Sequence, residues 1–155
     1  FSWSFNGAII KSRVNFNGSA NMENRPMQGQ SPYLVNTGIF YKNDKQQLDI
    51  ALLYNRIGKR IIGVGRSEGT TSGNETLRVP DSYEMPRDVL DLSISKKFGT
   101  HWEIKANVRD LLAQKVYYKE FVTANLNSGG TKEVEQITRC FKPGRNIGLT
   151  VTYNL

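Results

Sequence analysis

Apolar and polar residues alternate along short segments of this sequence, and this period of two constrains the fold more than any other feature. The clearest case is the last segment, where apolar residues occupy every second position: Ile147, Leu149, Val151, Tyr153 and Leu155. The residues between them are polar or small. Successive side chains of a β-strand point to opposite faces. The pattern therefore predicts a strand with one apolar and one polar face.

The same alternation recurs upstream and predicts an antiparallel, all-β protein. The apolar positions are Leu48, Ile50, Leu52 and Tyr54; Leu90, Leu92, Ile94 and Phe98; Trp102, Ile104, Ala106 and Val108; and Tyr33, Val35, Thr37, Ile39 and Tyr41. A first strand begins with Phe1, Trp3 and Phe5 and loses phase near Gly7, as a β-bulge would cause. We predict an up-and-down meander of about six strands, over 1–16, 32–42, 47–60, 87–98, 101–121 and 137–155.

Connections between these segments alternate in length. Short ones fall at 43–46 and 99–100, and long polar ones at 17–31, 61–86 and 122–136. Short turns on one side and long loops on the other are typical of an outer-membrane β-barrel. A soluble β-sandwich, acting as a ligand- or glycan-binding module, would explain the alternation equally well but the unequal connections and the aromatic placement less well.

Aromatic residues support the membrane interpretation. Tyr41, Phe98, Trp102 and Tyr153 fall near the short turns, where rings with one polar edge favour the lipid headgroup boundary. Tyr33 and Tyr54 fall toward the opposite end. Eight residues separate Tyr33 from Tyr41, roughly 26 Å along a strand. With a tilt of ~40° this gives about 20 Å of height, a little less than the ~25 Å apolar band of such barrels.

Composition excludes several functions. No segment approaches the ~20 apolar residues of a membrane helix, and mean hydropathy is −0.48, as expected when only alternate residues are apolar. The net charge of +7 is spread along the chain without the basic runs of a nucleic-acid-binding tail. One histidine, His101, and one cysteine, Cys140, offer little to a metal site or a catalytic triad. We expect no enzymatic activity and no cofactor.

Five strings, in order along the chain, resemble the late barrel strands of TonB-dependent outer-membrane receptors. They are RPMQGQSPYLVN at 25–36, LLYNRIGKRI at 52–61, YEMPRDVLDLS at 83–93, VRDLL at 108–112 and PGRNIGLTVTYNL at 143–155. The resemblance implies a transmembrane barrel of about 22 strands with a plugged lumen, of which residues 1–155 are the C-terminal part. The plug and the TonB box would lie in an N-terminal part absent from this chain. Phe1 already sits within a strand-like pattern, which agrees with a start inside a longer protein.

The resemblance also implies location and partners. Such receptors lie in the cell outer membrane and import scarce nutrients, so we expect contacts with the rest of the barrel, the plug, outer-membrane lipid and an imported ligand that the sequence does not identify. The TonB complex would be reached through the missing N-terminal part.

Two groups of charged residues are candidate functional sites. Because a charge in lipid is costly, we expect the charged members of the polar rows to face the barrel lumen, where they would pair with the plug or form a hydrated wall: Asp49, Asp91, Glu103, Lys105 and Arg109. Near the second long loop, four cations could attract an anionic ligand, bind lipopolysaccharide phosphates or simply be solvated: Arg56, Lys59, Arg60 and Arg66. The glycines of Gly63-Val64-Gly65 lack the context of a phosphate-binding loop.

Overall fold

The computed structural model describes residues 1–16, 24–68, 77–125 and 131–154, and within these ranges the chain is all-β with no helix. Its strands are β1 (Ser2–Ile9), β2 (Tyr33–Asn43), β3 (Leu48–Ile57), β4 (Arg60–Gly63), β5 (Arg66–Glu68), β6 (Leu77–Val79), β7 (Ser82–Glu84), β8 (Arg87–Phe98), β9 (Trp102–Arg109), β10 (Val116–Asn125), β11 (Thr131–Phe141) and β12 (Asn146–Tyr153).

The main element is a six-stranded antiparallel sheet in the order β1-β2-β3-β8-β9-β12, which follows the order of these strands along the chain. Each pairs with the next as an up-and-down meander, which confirms the predicted pairing of six alternating segments. Short turns join β2 to β3 and β8 to β9, with left-handed backbone at Gln47 (φ 48°) and Gly99 (φ 63°). Within the described ranges the sheet is open, because β1 and β12 each have one partner.

A second antiparallel sheet, in the order β11-β10-β7-β4, and a two-stranded β5-β6 ribbon are built from the long connections. The long polar connections predicted over 61–86 and 122–136 are therefore partly strand. These connections contain β5, β6 and β7, and β10 and β11 extend into the second of them as a hairpin.

Four of the six predicted strands also have different bounds in the structure. The first strand ends at Ile9, and its register with β2 runs without a shift, so no bulge lies at Gly7. The segment 101–121 is interrupted after Arg109, where Asp110 and Ala113 adopt left-handed backbone (φ 53° and 46°). This interruption still lies beside β8, because Leu111 N–H donates to Leu90 O at 2.7 Å.

The segment 137–155 is divided in two between Phe141 and Asn146. Pro143 has no N–H to donate, and Gly144 has a φ of 84°. Residues 47–60 are likewise interrupted at Gly58, between β3 and β4.

Few apolar side chains of the described chain are buried, and none of them belongs to the six-stranded sheet: Ile61 lies in β4, Ala113 in the turn after β9 and Val116 at the start of β10. No apolar side chain in the six strands of the main sheet is buried. This sheet therefore lacks the packed core that lies between the two sheets of a β-sandwich.

Among the described residues, no helix reaches the length and apolar character needed to cross a membrane.

Candidate functional site

The register of the six-stranded sheet places most of its apolar residues on one surface, which we call the apolar face, while Leu34, Phe40, Leu53, Ile57 and Val89 lie on the other. One row, across all six strands, is Trp3, Ile39, Leu52, Leu92, Val108 and Ile147. Residues directly opposite in neighbouring strands point to the same side. The prediction that Ile50, Leu52, Leu92, Ile94, Ile104, Leu149 and Val151 share a face is confirmed by the same register.

Nothing in the described chain covers this face. On the inner strands β2, β8 and β9, the side chains of Ile39, Ile94 and Ile104 are 50%, 37% and 37% exposed, far more than a residue of a protein core. Single exposed apolar residues are common on soluble proteins, whereas a contiguous apolar surface marks contact with another molecule or with a membrane. The surface spans six strands, so it is an interaction surface of the whole sheet.

The apolar face has one edge next to the short turns, which we call the short-turn edge. Aromatic rings lie along it. Phe98 lies opposite Trp102, and Trp102 opposite Tyr153, with the last two ring centroids 4.8 Å apart. At the other side of the sheet, the Phe1 and Tyr41 rings are also 4.8 Å apart. The predicted interface aromatics Tyr41, Phe98, Trp102 and Tyr153 therefore share one face and one edge.

Tyrosines also mark the opposite, loop edge of this face. The Tyr54 hydroxyl donates to Asp88 Oδ1 at 2.6 Å, and Arg56 Nη1 donates to the same oxygen at 2.6 Å. Arg56 Nε donates to the Tyr33 hydroxyl at 3.3 Å. At the loop edge of the apolar face, Tyr33 and Tyr54 are therefore hydrogen-bonded to the Arg56–Asp88 ion pair. The sequence alone did not predict this ion pair.

Charged residues occur on the apolar face only at its margins. In the six strands they are Arg56 and Asp88 at the loop edge and Lys96 near the short-turn edge. The Lys96 ammonium lies 5.1 Å from the centroid of the Phe98 ring, toward the turn. A long cationic side chain can keep its stem on apolar surface while its charge reaches the boundary.

The opposite surface, the polar face, carries the five charged residues predicted to line a lumen. Asp49, Asp91, Glu103, Lys105 and Arg109 all lie on this side by register, together with Thr150. Asp91 Oδ1 accepts the N–H of Asp110 at 2.8 Å, and Glu103 accepts the Ser95 hydroxyl at 2.8 Å. The face separation is confirmed; whether the surface lines a lumen stays a prediction.

A shallow concavity of about 310 Å³ lies over the first four strands of the sheet. Its polar lining includes Ser4, Asn6, Asn36, Asn55 and Asp91. Asn6, Asn36 and Asn55 lie opposite one another on three neighbouring strands, and the Asn55 amide donates to Asn36. The concavity offers hydrogen-bonding groups with a single charged residue, Asp91.

Most of the four cations predicted near the second long loop already have partners within the chain. Arg56 pairs with Asp88, and Arg60 Nη2 lies 2.7 Å from Glu84 Oε2. The Lys59 ammonium lies 4.4 Å and 4.5 Å from the ring centroids of Tyr83 and Phe121. Arg66 is exposed and opens β5. These contacts make Arg56, Lys59 and Arg60 part of the loop structure, which limits their use in binding a ligand.

Tyr83 lies at the centre of the sheet of β4, β7, β10 and β11, which we call the loop-derived sheet. Burial, followed by the nearby Asp81 carboxylate, raises the pKa of Tyr83 above its ordinary value. Its ring packs edge to face on Phe121, with centroids 5.6 Å apart. The loop-derived sheet therefore contains a pair of packed rings, Tyr83 and Phe121, and the Lys59 ammonium contacts both of them.

An ion pair between Arg25 and Asp81 fastens the segment before β2 to the β5-β6 ribbon. Arg25 Nη1 also donates to Gly65 O at 3.3 Å, and Gly65 N–H donates to Asp81 Oδ1 at 2.7 Å. The backbone N–H of Gly65 is thus bound by a carboxylate of the chain itself. Sequence reasoning missed Asp81, Glu84 and Asp88, whose only signal was that acidic residues follow the basic stretch 56–66.

Other chemistry has little support in the described residues. Within them, no three His, Cys, Asp or Glu side chains lie close enough together to hold a metal ion. Cys140 is exposed and makes no disulfide. His101 stacks on Tyr153, with ring centroids 5.7 Å apart. His101 is therefore a further ring at the short-turn edge.

Comparison of the chain with protein-family models, curated proteins and solved structures yields no match. The functional argument therefore depends on the two faces of the sheet and on its edges.

Proposed function

We propose that this chain is the C-terminal wall of a transmembrane β-barrel of about 22 strands, belonging to a TonB-dependent outer-membrane receptor that imports nutrients. The observation that carries the proposal is the uncovered apolar face with aromatic rows at both of its edges. An outward apolar band flanked by aromatic girdles is what a barrel presents to lipid.

The position of the charges supports the same proposal. Those of the apolar face lie at its margins, where a headgroup layer would solvate them, and the predicted lumen residues lie on the other side. In this arrangement Asp49, Asp91, Glu103, Lys105 and Arg109 face water or the plug. The loop-derived sheet would stand outside the membrane, beyond the loop edge.

The open sheet supports a role as part of a larger barrel. Backbone groups at a sheet edge cannot remain unpaired in lipid, so a membrane sheet must close. In the proposed receptor β1 pairs with the preceding barrel strand and β12 with the first one, both in a part outside this chain. The plug and the contact with the TonB complex would also be supplied there, and the chain would have no catalytic role.

The test is the dependence of the purified 155-residue chain on detergent. We expect aggregation, or burial of the apolar face between copies, in detergent-free buffer, and a monodisperse protein–detergent complex in zwitterionic detergent. Size-exclusion chromatography with light scattering separates these states. A compact, soluble monomer with cooperative unfolding would overturn the proposal and favour a soluble β-sandwich binding module.

A further inference from the structure

The chain continues in extended form beyond the end of β1. Ile10 N–H donates to Pro32 O at 2.9 Å, and Val14 forms an antiparallel bridge with Arg25. Exposure alternates along this continuation. Ile9, Lys11 and Arg13 are exposed, whereas Ile10, Ser12 and Val14 are partly buried. The half-buried residues face the segment before β2, since the Ser12 hydroxyl accepts Met27 N–H at 3.1 Å.

This alternation places Lys11 and Arg13 on the side of the apolar face. Ile9 lies opposite Tyr33 and in phase with Trp3 and Phe5. Residues 10–13 lie outside β1, but their exposure keeps its period of two, so we infer that Lys11 and Arg13 continue on the side of Ile9. The two cations therefore stand in line with the apolar row of β1.

Their height relative to the apolar face follows from the strand geometry. Phe1 contacts Tyr41 at the short-turn edge, and Ile9 lies opposite Tyr33 at the loop edge. At ~3.3 Å per residue and a tilt of ~40°, Lys11 lies about 5 Å and Arg13 about 10 Å beyond that edge. A bilayer of 40–45 Å with a ~30 Å hydrocarbon core has a headgroup layer of roughly 5–8 Å on each side. The two side chains, which are several ångströms long, reach this layer.

Lys11 and Arg13 also differ from the nearby cations in their contacts. Arg25, Arg56 and Arg60 pair with acidic residues, and Lys59 lies over two rings. Neither Lys11 nor Arg13 makes an ion pair with any residue of the described ranges. Both positive charges are therefore available to an anion at this height.

We propose that Lys11 and Arg13 bind the phosphate groups of anionic lipid in the outer leaflet. The inference rests on the proposed function, since it requires the apolar face to be in lipid. It assigns the lipid contact to these two residues instead of Arg56, Lys59 and Arg60. Two cations about 6.6 Å apart along the strand can contact separate phosphates of one headgroup or of two neighbouring lipids.

The experiment measures binding of diphosphoryl lipid A to the full chain in zwitterionic detergent, with bound lipids counted by native mass spectrometry. The test variant is Lys11→Gln/Arg13→Gln. The control is Lys97→Gln/Lys105→Gln, which removes the same charge from the polar face. We expect the test variant to lose roughly 25-fold in affinity, about fivefold for each cation near an anionic surface, and the control to change less than about twofold.

Equal losses in both variants would show that only net charge matters and would overturn the proposal. Displacement of lipid A by millimolar inorganic phosphate would also overturn it, since the site would then take a free anion. Elution of each variant with and without detergent is measured on the same samples. An unchanged affinity with retained detergent dependence rejects the lipid site alone, whereas a detergent-free soluble monomer rejects the proposed function.

Discussion

At the scale of single residues, the side of the sheet determines which substitutions the chain can accept. Ile94 and Ser93 are neighbours in β8 but point to opposite faces, toward Ala106 and Asn107 respectively. Ile94 lies four residues from Phe98, near the middle of the apolar face. The same charge introduced at the two positions should therefore have different effects if one face is in lipid.

We expect Ile94→Arg to destabilise the closed barrel of the proposed receptor in phosphatidylcholine vesicles by ~2–4 kcal/mol, the cost of an arginine near the bilayer midplane. Ser93→Arg should cost less than about 0.5 kcal/mol, because an exposed polar surface accepts a charge. Urea unfolding followed by tryptophan fluorescence measures both. Equal costs at the two positions would contradict a lipid contact restricted to the apolar face.

At the scale of elements, the six strands of the main sheet could be predicted from sequence because their alternation is long. β8 has twelve residues, and its apolar positions keep phase from Leu90 to Phe98. β7 has three residues, too few to show a period, and it pairs through Tyr83 and Glu84 with partners distant in sequence. Short strands of this kind depend on tertiary contacts and leave no pattern of their own.

The hairpin of β10 and β11 was predicted only in part, as the adjoining ends of the segments 101–121 and 137–155. Its register shifts between Tyr118 and Lys119, so the two sides of the β-bulge follow different phases. The ion pairs of the loop edge were missed because they depend on register. Arg56 meets Asp88 only because β3 and β8 align these two positions, which are 32 residues apart. The face on which each lumen candidate lies follows from the alternation within its own strand, so this face could be predicted from the sequence.

The β5-β6 ribbon depends on close approach of its backbone at Gly65. A Cβ at this position would lie 2.1 Å from Val79 O, a contact no side chain can make. At Gly63 the nearest atom to such a Cβ is Ser82 Cβ, at 3.4 Å, an ordinary contact. The two glycines therefore form a matched pair for testing whether the loop-derived structure is as tightly built as the contacts of Arg25 and Asp81 indicate.

We expect Gly65→Ala to destabilise the loop-derived region by about 1–3 kcal/mol, as overpacking does, and Gly63→Ala to have a much smaller effect. Limited proteolysis in detergent measures this locally, with faster cleavage near the ribbon in Gly65→Ala and unchanged cleavage within β3 and β8. Equal cleavage of both variants would show that the Gly65 backbone is not packed against Val79.

At the scale of the whole molecule, the inner strands of the main sheet are paired on both sides, but the sheet does not close. A sheet in lipid would have to close. β3 and β8 have partners on both sides, whereas β1 and β12 each have one partner among the described strands. The few buried apolar residues of the described chain lie outside the strands of the six-stranded sheet. Stability of the sheet in its proposed setting must therefore come from lipid on one face and from further strands at both edges.

Hydrogen exchange of backbone amides should show this dependence strand by strand. In zwitterionic detergent we expect slow exchange in β3 and β8, where the amides of the ladder are bonded on both sides. In β1 and β12 only every second amide bonds to the neighbouring strand, and the others point to the open edge. Those amides should exchange quickly, because protection requires a stable hydrogen bond. When the chain is part of the intact receptor, the same edge amides should become as protected as those of β3. An isolated chain in which β1 and β12 are as protected as β3 and β8, while monomeric by light scattering, would mean that the sheet needs no further strands and would contradict its place in a larger barrel.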